Sequence, residues 1–93
     1  MADEGVWRQE GESLVRDYKF EDFAEAMAFV NRVAELAEAA DHHPDIDIRY
    51  NKVSIALSTH SEGGITEKDF ALAEQIDEAV NRMVAREIDD PVE

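Results

Sequence analysis

The chain has 93 residues, of which 23 are acidic and 9 are basic, so its formal net charge at pH 7 is −14. A surface this negative repels phosphate backbones, so we do not expect the protein to bind DNA or RNA directly. There is no cysteine, which excludes disulfides and thiolate metal sites and favours a reducing cytoplasm.

The length predicts one domain over residues 1–93 with a small core, so we expect a homodimer or homotetramer. The opening MADEGVWRQEGE lacks the basic and apolar regions of a signal peptide, and no apolar run approaches the ~20 residues of a membrane span. We therefore expect a cytoplasmic protein that does not contact membranes. The acids are spread through every predicted element, which favours a salt-rich cytoplasm over the alternative of an acidic partner-binding protein. Only residues 88–93 resemble an acidic tail.

Residues 6–20 predict two short strands joined by a hairpin turn at Gly11. Aromatic and β-branched side chains in this stretch favour extended structure. One set of alternating positions in the second strand consists of Leu14, Arg16, Tyr18 and Phe20.

Residues 21–40 predict an amphipathic helix, because apolar side chains recur there at spacings of three and four. Glu21 and Asp22 lie at its start, where the helix dipole favours negative charge. Pro44 disfavours helical geometry at the preceding residue, so the helix is expected to end by about His42 or His43. The predicted buried stripe consists of Phe23, Ala26, Met27, Val30, Val33, Ala34 and Ala37.

Residues 46–51 and 52–60, IDIRYN and KVSIALSTH, predict two antiparallel strands. The pair Asn51–Lys52 is the expected tight connection between them. Gly63 and Gly64 predict a turn over residues 61–66, because glycine tolerates positive φ angles.

Thr66 is the expected N-cap of a second helix, with acidic residues in the first turn. Its predicted buried stripe consists of Phe70, Ala73, Ile76, Val80, Met83 and Val84. The order of elements, β-β-α-β-β-α, predicts an α+β two-layer sandwich in which a four-stranded antiparallel sheet carries both helices on one face.

Two of the three histidines, His42 and His43, are adjacent and precede Pro44. Glu38 lies four residues before His42 and shares its helix face if the helix continues that far. A change from helical to extended backbone between the two histidines turns both imidazoles toward one cleft. His60, at the end of the last strand, is expected to reach the same cleft.

Such a cluster suits proton transfer, because imidazole titrates near neutral pH and two imidazoles can act as acid and base. The chain offers no obvious nucleophile, since cysteine is absent and no serine lies in an elbow motif. Three alternatives remain open from the residues alone. The histidines could cap the helix, lie in an exposed loop, or form a three-histidine zinc site.

Residues 38–69 resemble the pterin-4a-carbinolamine dehydratase family. The resemblance rests on a glutamate separated by three residues from His-His-Pro, a Tyr-Asn-Lys-Val turn, a strand that ends in Thr-His, and an Ile-Thr-x-x-Asp helix start. In this chain the corresponding residues are Glu38, His42, His43, Pro44, Tyr50, Asn51, Lys52, Val53, Thr59, His60, Ile65, Thr66 and Asp69.

The resemblance implies an enzyme that dehydrates 4a-hydroxytetrahydropterins, the products of pterin-dependent aromatic hydroxylation, to quinonoid dihydropterins. It implies no metal and no organic cofactor, and it implies the sheet-and-helix fold assembled as dimers or tetramers. Some animal members of the family also bind a homeodomain transcription factor, a role that the charge of −14 disfavours here.

The resemblance also implies that His42, His43 and His60 are the active-site residues. Our hypothesis for their roles is that His42 and His60 transfer protons, His43 orients the pterin, and Glu38 tunes His42. The expected pterin contacts are Asp41, His42, His43, Pro44, Ser58, Thr59, His60 and Ser61.

One position departs from the family pattern. The family usually has an aromatic residue, often tryptophan, two positions after the proline, where this chain has Ile46. An aromatic ring there could wall the pterin. Two alternatives therefore stand beside the dehydratase: a related activity on a molybdopterin-type pterin, and a non-catalytic protein-binding or dimerisation module of the same fold.

Overall fold

The computed structural model describes residues 7–89, and of residues 84–89 it describes only the helical backbone. Residue 6 of the first predicted strand, the side chain of Val84 and residues 90–93 of the predicted tail lie outside the described part. The elements are β1 (Arg8–Glu10), β2 (Ser13–Lys19), α1 (Phe23–Ala40), β3 (Asp45–Arg49), β4 (Lys52–Leu57), a 3-10 helix (His60–Glu62) and α2 (Glu67–Asp89). None of the described helices is long and apolar enough to cross a membrane.

The four strands form one antiparallel sheet in the order β1-β2-β4-β3, which confirms the predicted α+β fold. Gly11 has a φ of 62° in the β1–β2 turn, as its role as a turn glycine requires. The second hairpin turn was predicted one residue too late. Arg49 pairs with Lys52, so the turn consists of Tyr50 and Asn51. The physical reason is that the Asn51 side chain and carbonyl both bond the backbone of Phe20, which holds Asn51 outside the ladder.

Both helices pack against the same face of the sheet. Leu14 pairs with Leu57 and Tyr18 pairs with Val53, so these side chains project from one face. They join buried residues of α1 and α2 in a single cluster. The largest buried apolar side chains of that cluster are Tyr18, Phe29, Ile55, Leu57, Leu72, Ile76, Val33, Val53 and Val80.

Two aromatic residues expected in the core are exposed instead. Phe23 is 49% exposed and Phe70 is 59% exposed, whereas Phe29, which the predicted stripe omitted, is fully buried. Phe23 opens α1, one turn before its first buried residue. In the first turn of α2 the inward position belongs to Asp69, so Phe70, about 100° further round the helix, faces away from the core. Ala34 is likewise exposed.

A carboxylate on α2 fastens this helix to the inner face of the sheet. Asp77 accepts hydrogen bonds from the Arg16 guanidinium at 2.6 Å, from the Tyr18 hydroxyl at 3.0 Å and from the Trp7 indole at 2.9 Å. Arg16 is buried and lies 4.6 Å from the centre of the Tyr18 ring. The predicted inward alternation of β2 therefore includes a cation, which is accommodated because α2 supplies its counter-charge.

We expect Asp77→Ala to lower the free energy of unfolding by about 3 kcal/mol, because a buried guanidinium loses a charged partner and two further donors lose their acceptor. Urea unfolding followed by circular dichroism measures this change. The emission of Trp7, the only tryptophan in the chain, should shift in the folded variant. Glu78→Ala, which changes the next, exposed acid of α2, is the matched control and should alter stability by less than about 0.5 kcal/mol. Equal losses in the two variants would contradict the role assigned to Asp77.

Candidate functional site

The histidine corner is formed by the way α1 ends. Asp41 adopts the left-handed conformation, with φ 53° and ψ 44°, directly after the last helical residue. The amide of His42 donates to the carbonyl of Ala37 and that of Asp41 to Glu38, the pattern of a Schellman motif. The helix thus ends at Ala40, within the predicted limit, and the reversal at Asp41 rather than Pro44 turns the chain.

This reversal directs His42 into the protein. Its side chain is 12% exposed, and its Nε2 lies 2.6 Å from Oδ1 of Asp69, a residue with no exposed surface. A carboxylate can only accept, so the proton between the two atoms belongs to Nε2. The other ring nitrogen, Nδ1, is then the atom through which His42 can exchange a proton.

Asp69 is held by two further groups besides His42. Its Oδ2 accepts from the Thr59 hydroxyl at 2.8 Å and from the Thr66 amide at 2.9 Å. Burial alone would raise the pKa of Asp69, but the hydrogen bonds from His42, Thr66 and Thr59 outweigh it and lower the pKa below its ordinary value. Asp69 is therefore an ionised carboxylate inside the fold.

The second imidazole has a different environment. His43 Nε2 lies 2.8 Å from Oε2 of Glu38, and both side chains are exposed, at 57% and 76%. The prediction that Glu38 tunes His42 is wrong in this structure, because the left-handed turn at Asp41 rotates His42 away from the helix face of Glu38. Glu38 is the partner of His43, and Asp69 is the partner of His42.

The third histidine directly follows a residue that contacts the corner. His60 is exposed and opens the 3-10 helix that follows β4. Thr59, the residue before it, is buried and hydrogen bonds the same carboxylate as His42. Of the other predicted pterin contacts, Asp41 and Ser61 are exposed, and Pro44 and Ser58 are half-buried.

This arrangement suits acid–base chemistry with two unlike imidazoles. One is buried against an ionised carboxylate, and the other is exposed and paired with a surface glutamate. Within residues 7–83, whose side chains are described, no three His, Cys, Asp or Glu side chains are grouped as metal ligands would be, so the three-histidine zinc site is not assembled there.

Asp69, which the sequence places only at a helix start, is the carboxylate that binds His42. Its signal was present, since Thr66-x-x-Asp69 matches the capping-box spacing at the start of a helix. The acid at the third helical position bonds back to the amide of Thr66, as that motif predicts. The pattern does not indicate that the other carboxylate oxygen serves a histidine.

The family model for pterin 4 alpha carbinolamine dehydratase matches residues 1–79. The chain belongs to the pterin-4a-carbinolamine dehydratase family. A relative from Thermomicrobium roseum is 64% identical over 77% of each chain, and one from Chloroflexus aurantiacus is 58% identical over 84% of each. Both are named, provisionally, as pterin-4-alpha-carbinolamine dehydratases. The resemblance read from residues 38–69 is confirmed.

Solved structures show the same fold. A Brucella melitensis protein described as a transcriptional coactivator/pterin dehydratase has a TM-score of 0.74 and 40% identity, over 76% of this chain and 78% of its own. A pterin dehydratase-like protein described as a RuBisCO assembly factor in the alpha-carboxysome has a TM-score of 0.63 and 26% identity, over 77% and 83%. The dehydratase fold is therefore shared by proteins described in catalytic and in non-catalytic terms.

We expect the Asp69 carboxylate to stabilise the fold at neutral pH and to lose this effect in acid. Because its pKa is lowered on folding, the contribution is present above the ordinary value of 3.8 and disappears as the pH falls through the lowered folded-state value. Asp69→Asn should lower the free energy of unfolding by about 3 kcal/mol at pH 7. The difference in free energy of unfolding between Asp69→Asn and the unmodified protein should shrink as the pH falls below 3.8.

Urea unfolding at a series of pH values, at constant high salt, measures this difference. Asp45→Asn, which changes an exposed acid of β3, is the control for the general loss of negative charge. A difference between Asp69→Asn and the unmodified protein that stayed constant from pH 7 down to pH 2 would contradict an ionised Asp69.

Proposed function

We propose that this protein dehydrates a 4a-hydroxytetrahydropterin to a quinonoid dihydropterin and water, in the recycling of a tetrahydrobiopterin-type cofactor. The observation that carries the proposal is the buried pair of His42 and Asp69 at the family's His-His-Pro motif. An ionised carboxylate that fixes the proton on Nε2 leaves Nδ1 of His42 as a defined base when neutral and a defined acid when protonated.

The reaction is a balanced pair of proton transfers. A protonated imidazole gives its proton to the 4a-hydroxyl oxygen, the carbon–oxygen bond breaks, and water leaves. A neutral imidazole takes a proton from a ring nitrogen of the pterin, which completes the quinonoid double bond. No electron is exchanged with an external carrier, so we expect neither a metal nor an organic cofactor.

We assign the two proton transfers to His42 and His60 and the orientation of the pterin to His43. The surroundings favour His43 for the orienting role, because its imidazole and Glu38 lie exposed at the mouth of the corner, where they can meet an incoming ring. Glu38 then holds His43 rather than tuning His42. The remaining proposed pterin contacts are Asp41, Pro44, Ser58, Thr59 and Ser61.

The proposal extends to assembly and location. Residues 1–93 are proposed to form one domain, which the single core cluster supports. We further propose a homodimer or homotetramer in a salt-rich cytoplasm. The small core and the exposed apolar side chains of Ile48, Phe23 and Phe70 favour self-association.

We expect His42→Gln to lower kcat by roughly 10²- to 10⁴-fold, because glutamine cannot exchange a proton at neutral pH. Its amide nitrogen corresponds to Nε2 and can still donate to Asp69, so the fold is retained. The measurement is the rate of quinonoid dihydropterin formation from 4a-hydroxytetrahydropterin in high salt. His60→Gln should lower kcat similarly, whereas His43→Gln should act mainly on KM.

Arg49→Gln, which changes an exposed residue of the β3 edge strand, is the control and should leave both constants unchanged. Equal rates with the unmodified protein and with buffer alone would contradict the dehydratase function. Full activity of His42→Gln would contradict only the proton-transfer role assigned to His42.

Protein binding is the second candidate function. It is favoured by a groove between the helices, lined by Ala28, Arg32, Gln75, Glu78, Ala79, Arg82 and Met83, and by the assembly-factor description of a structural relative. Two of the six arginines of this acidic chain lie in this groove. A variant with all three histidines replaced by glutamine separates the candidates, since only a binding module would keep its cellular function.

We expect salt to stabilise the protein by screening its excess negative charge. Raising KCl from low to molar concentration should increase Tm by roughly 5 °C or more, which corresponds to about 1 kcal/mol in a domain of this size. Calorimetry with and without salt measures the effect, and sucrose of equal osmolality is the control. A Tm that is independent of KCl would contradict adaptation to a salt-rich cytoplasm.

A further inference from the structure

We propose that Thr59 is a positioning residue, which ties the loop that carries His60 to the carboxylate that holds His42. The proposal rests on the proposed function for its catalytic meaning, because it explains how two histidines 18 positions apart in sequence are kept in a fixed relation. Its structural part stands on the hydrogen bonds of Thr59 alone.

The hydroxyl of Thr59 has a fixed direction. Oγ1 lies 2.8 Å from Oδ2 of Asp69 and 2.7 Å from Oγ1 of Thr66. A hydroxyl has one hydrogen, and the ionised carboxylate can only accept. Thr59 therefore donates to Asp69, and Thr66 donates to Thr59.

The same reasoning determines which group donates in each of the neighbouring hydrogen bonds. Thr66 accepts from the amide of Lys68 at 3.2 Å while it donates to Thr59. The hydrogen bonds thus run in one direction, from the Lys68 amide through the Thr66 and Thr59 hydroxyls to Oδ2 of Asp69. His42 contacts the other carboxylate oxygen, Oδ1, at 2.6 Å. Reversing any hydroxyl would place two donors or two acceptors face to face, so the path has one stable direction.

The backbone of Thr59 holds the loop of His60. Its amide donates to the carbonyl of Gly64 at 2.8 Å, and its carbonyl accepts from the amides of Glu62 at 2.9 Å and Gly64 at 3.3 Å. These bonds close the turn in which His60 opens the 3-10 helix. One residue therefore bonds both the carboxylate beside His42 and the backbone around His60.

The position demands a buried hydroxyl. Thr59 is 4% exposed and continues the inward alternation of Val53, Ile55 and Leu57, so an apolar residue would suit its burial. Valine has the same shape but can neither donate to Asp69 nor accept from Thr66, which would leave polar atoms unsatisfied in the interior. Serine retains both hydrogen bonds and loses only a methyl group.

The test compares Thr59→Ser with Thr59→Val, and Thr59→Ala serves as the second variant without a hydroxyl if valine prevents folding. The first readout is nuclear magnetic resonance without substrate. We expect the Nε2–H proton of His42 and the amides of Glu62 and Gly64 to be protected from solvent exchange in the unmodified protein and in Thr59→Ser. Both sets should lose protection in the variants without a hydroxyl. Ser54→Ala, on strand β4 that precedes Thr59, is the matched control and should retain it.

The second readout is dehydratase kinetics across pH. We expect kcat to fall by up to roughly 10²-fold in Thr59→Val or Thr59→Ala, since misplaced acid–base groups lose about this much. Activity and pH profile should return in Thr59→Ser. Unchanged exchange in the variants without a hydroxyl, failure of serine to restore it, or exchange changes with an unchanged kcat would each overturn the positioning role. An unmodified protein with no dehydratase activity but with the expected exchange pattern would instead refute only the proposed reaction.

Discussion

The arrangement of the candidate site depends on one buried negative charge. Asp69 has no exposed surface, yet three groups from separate parts of the fold donate to it: His42 after α1, Thr59 after β4 and the Thr66 amide at the start of α2. An isolated carboxylate in such a place would cost several kcal/mol, and its donors make it tolerable only if all three elements are in position. Asp69 can therefore remain ionised in the interior only when these three chain segments come together.

A second carboxylate of the same helix repeats this principle at a different place. Asp77, two turns after Asp69, accepts hydrogen bonds from Arg16 and Tyr18 of β2 and from Trp7, which precedes β1. Helix α2 thus carries two inward acids, one toward the histidine corner and one toward β2. Polar bonds at these two points fix the position of the helix along its axis, which apolar packing alone leaves less well defined.

Local patterns predicted most of the fold and the position of the candidate histidine corner. The alternation in β4 placed Val53, Ile55 and Leu57 correctly in the core, and the His-His-Pro motif located the corner. The partner of His42 was not predictable in this way, because Asp69 is 27 residues away and meets it only after α2 has docked. Spacing of four residues suggested Glu38 instead, but one left-handed residue, Asp41, invalidates helical spacing beyond it.

The replacement of the family's aromatic residue by Ile46 can be understood from the same geometry. Ile46 lies at the start of β3, opposite Ile55, and packs partly against the core cluster. A β-branched side chain suits this position, because it covers the edge of the core beside a fully buried isoleucine. The histidines do not depend on it, since His42 is fixed by Asp69 and His43 by Glu38. Isoleucine at this position therefore leaves His42 and His43 in place, and in the proposed dehydratase its consequence belongs to pterin affinity rather than to proton transfer.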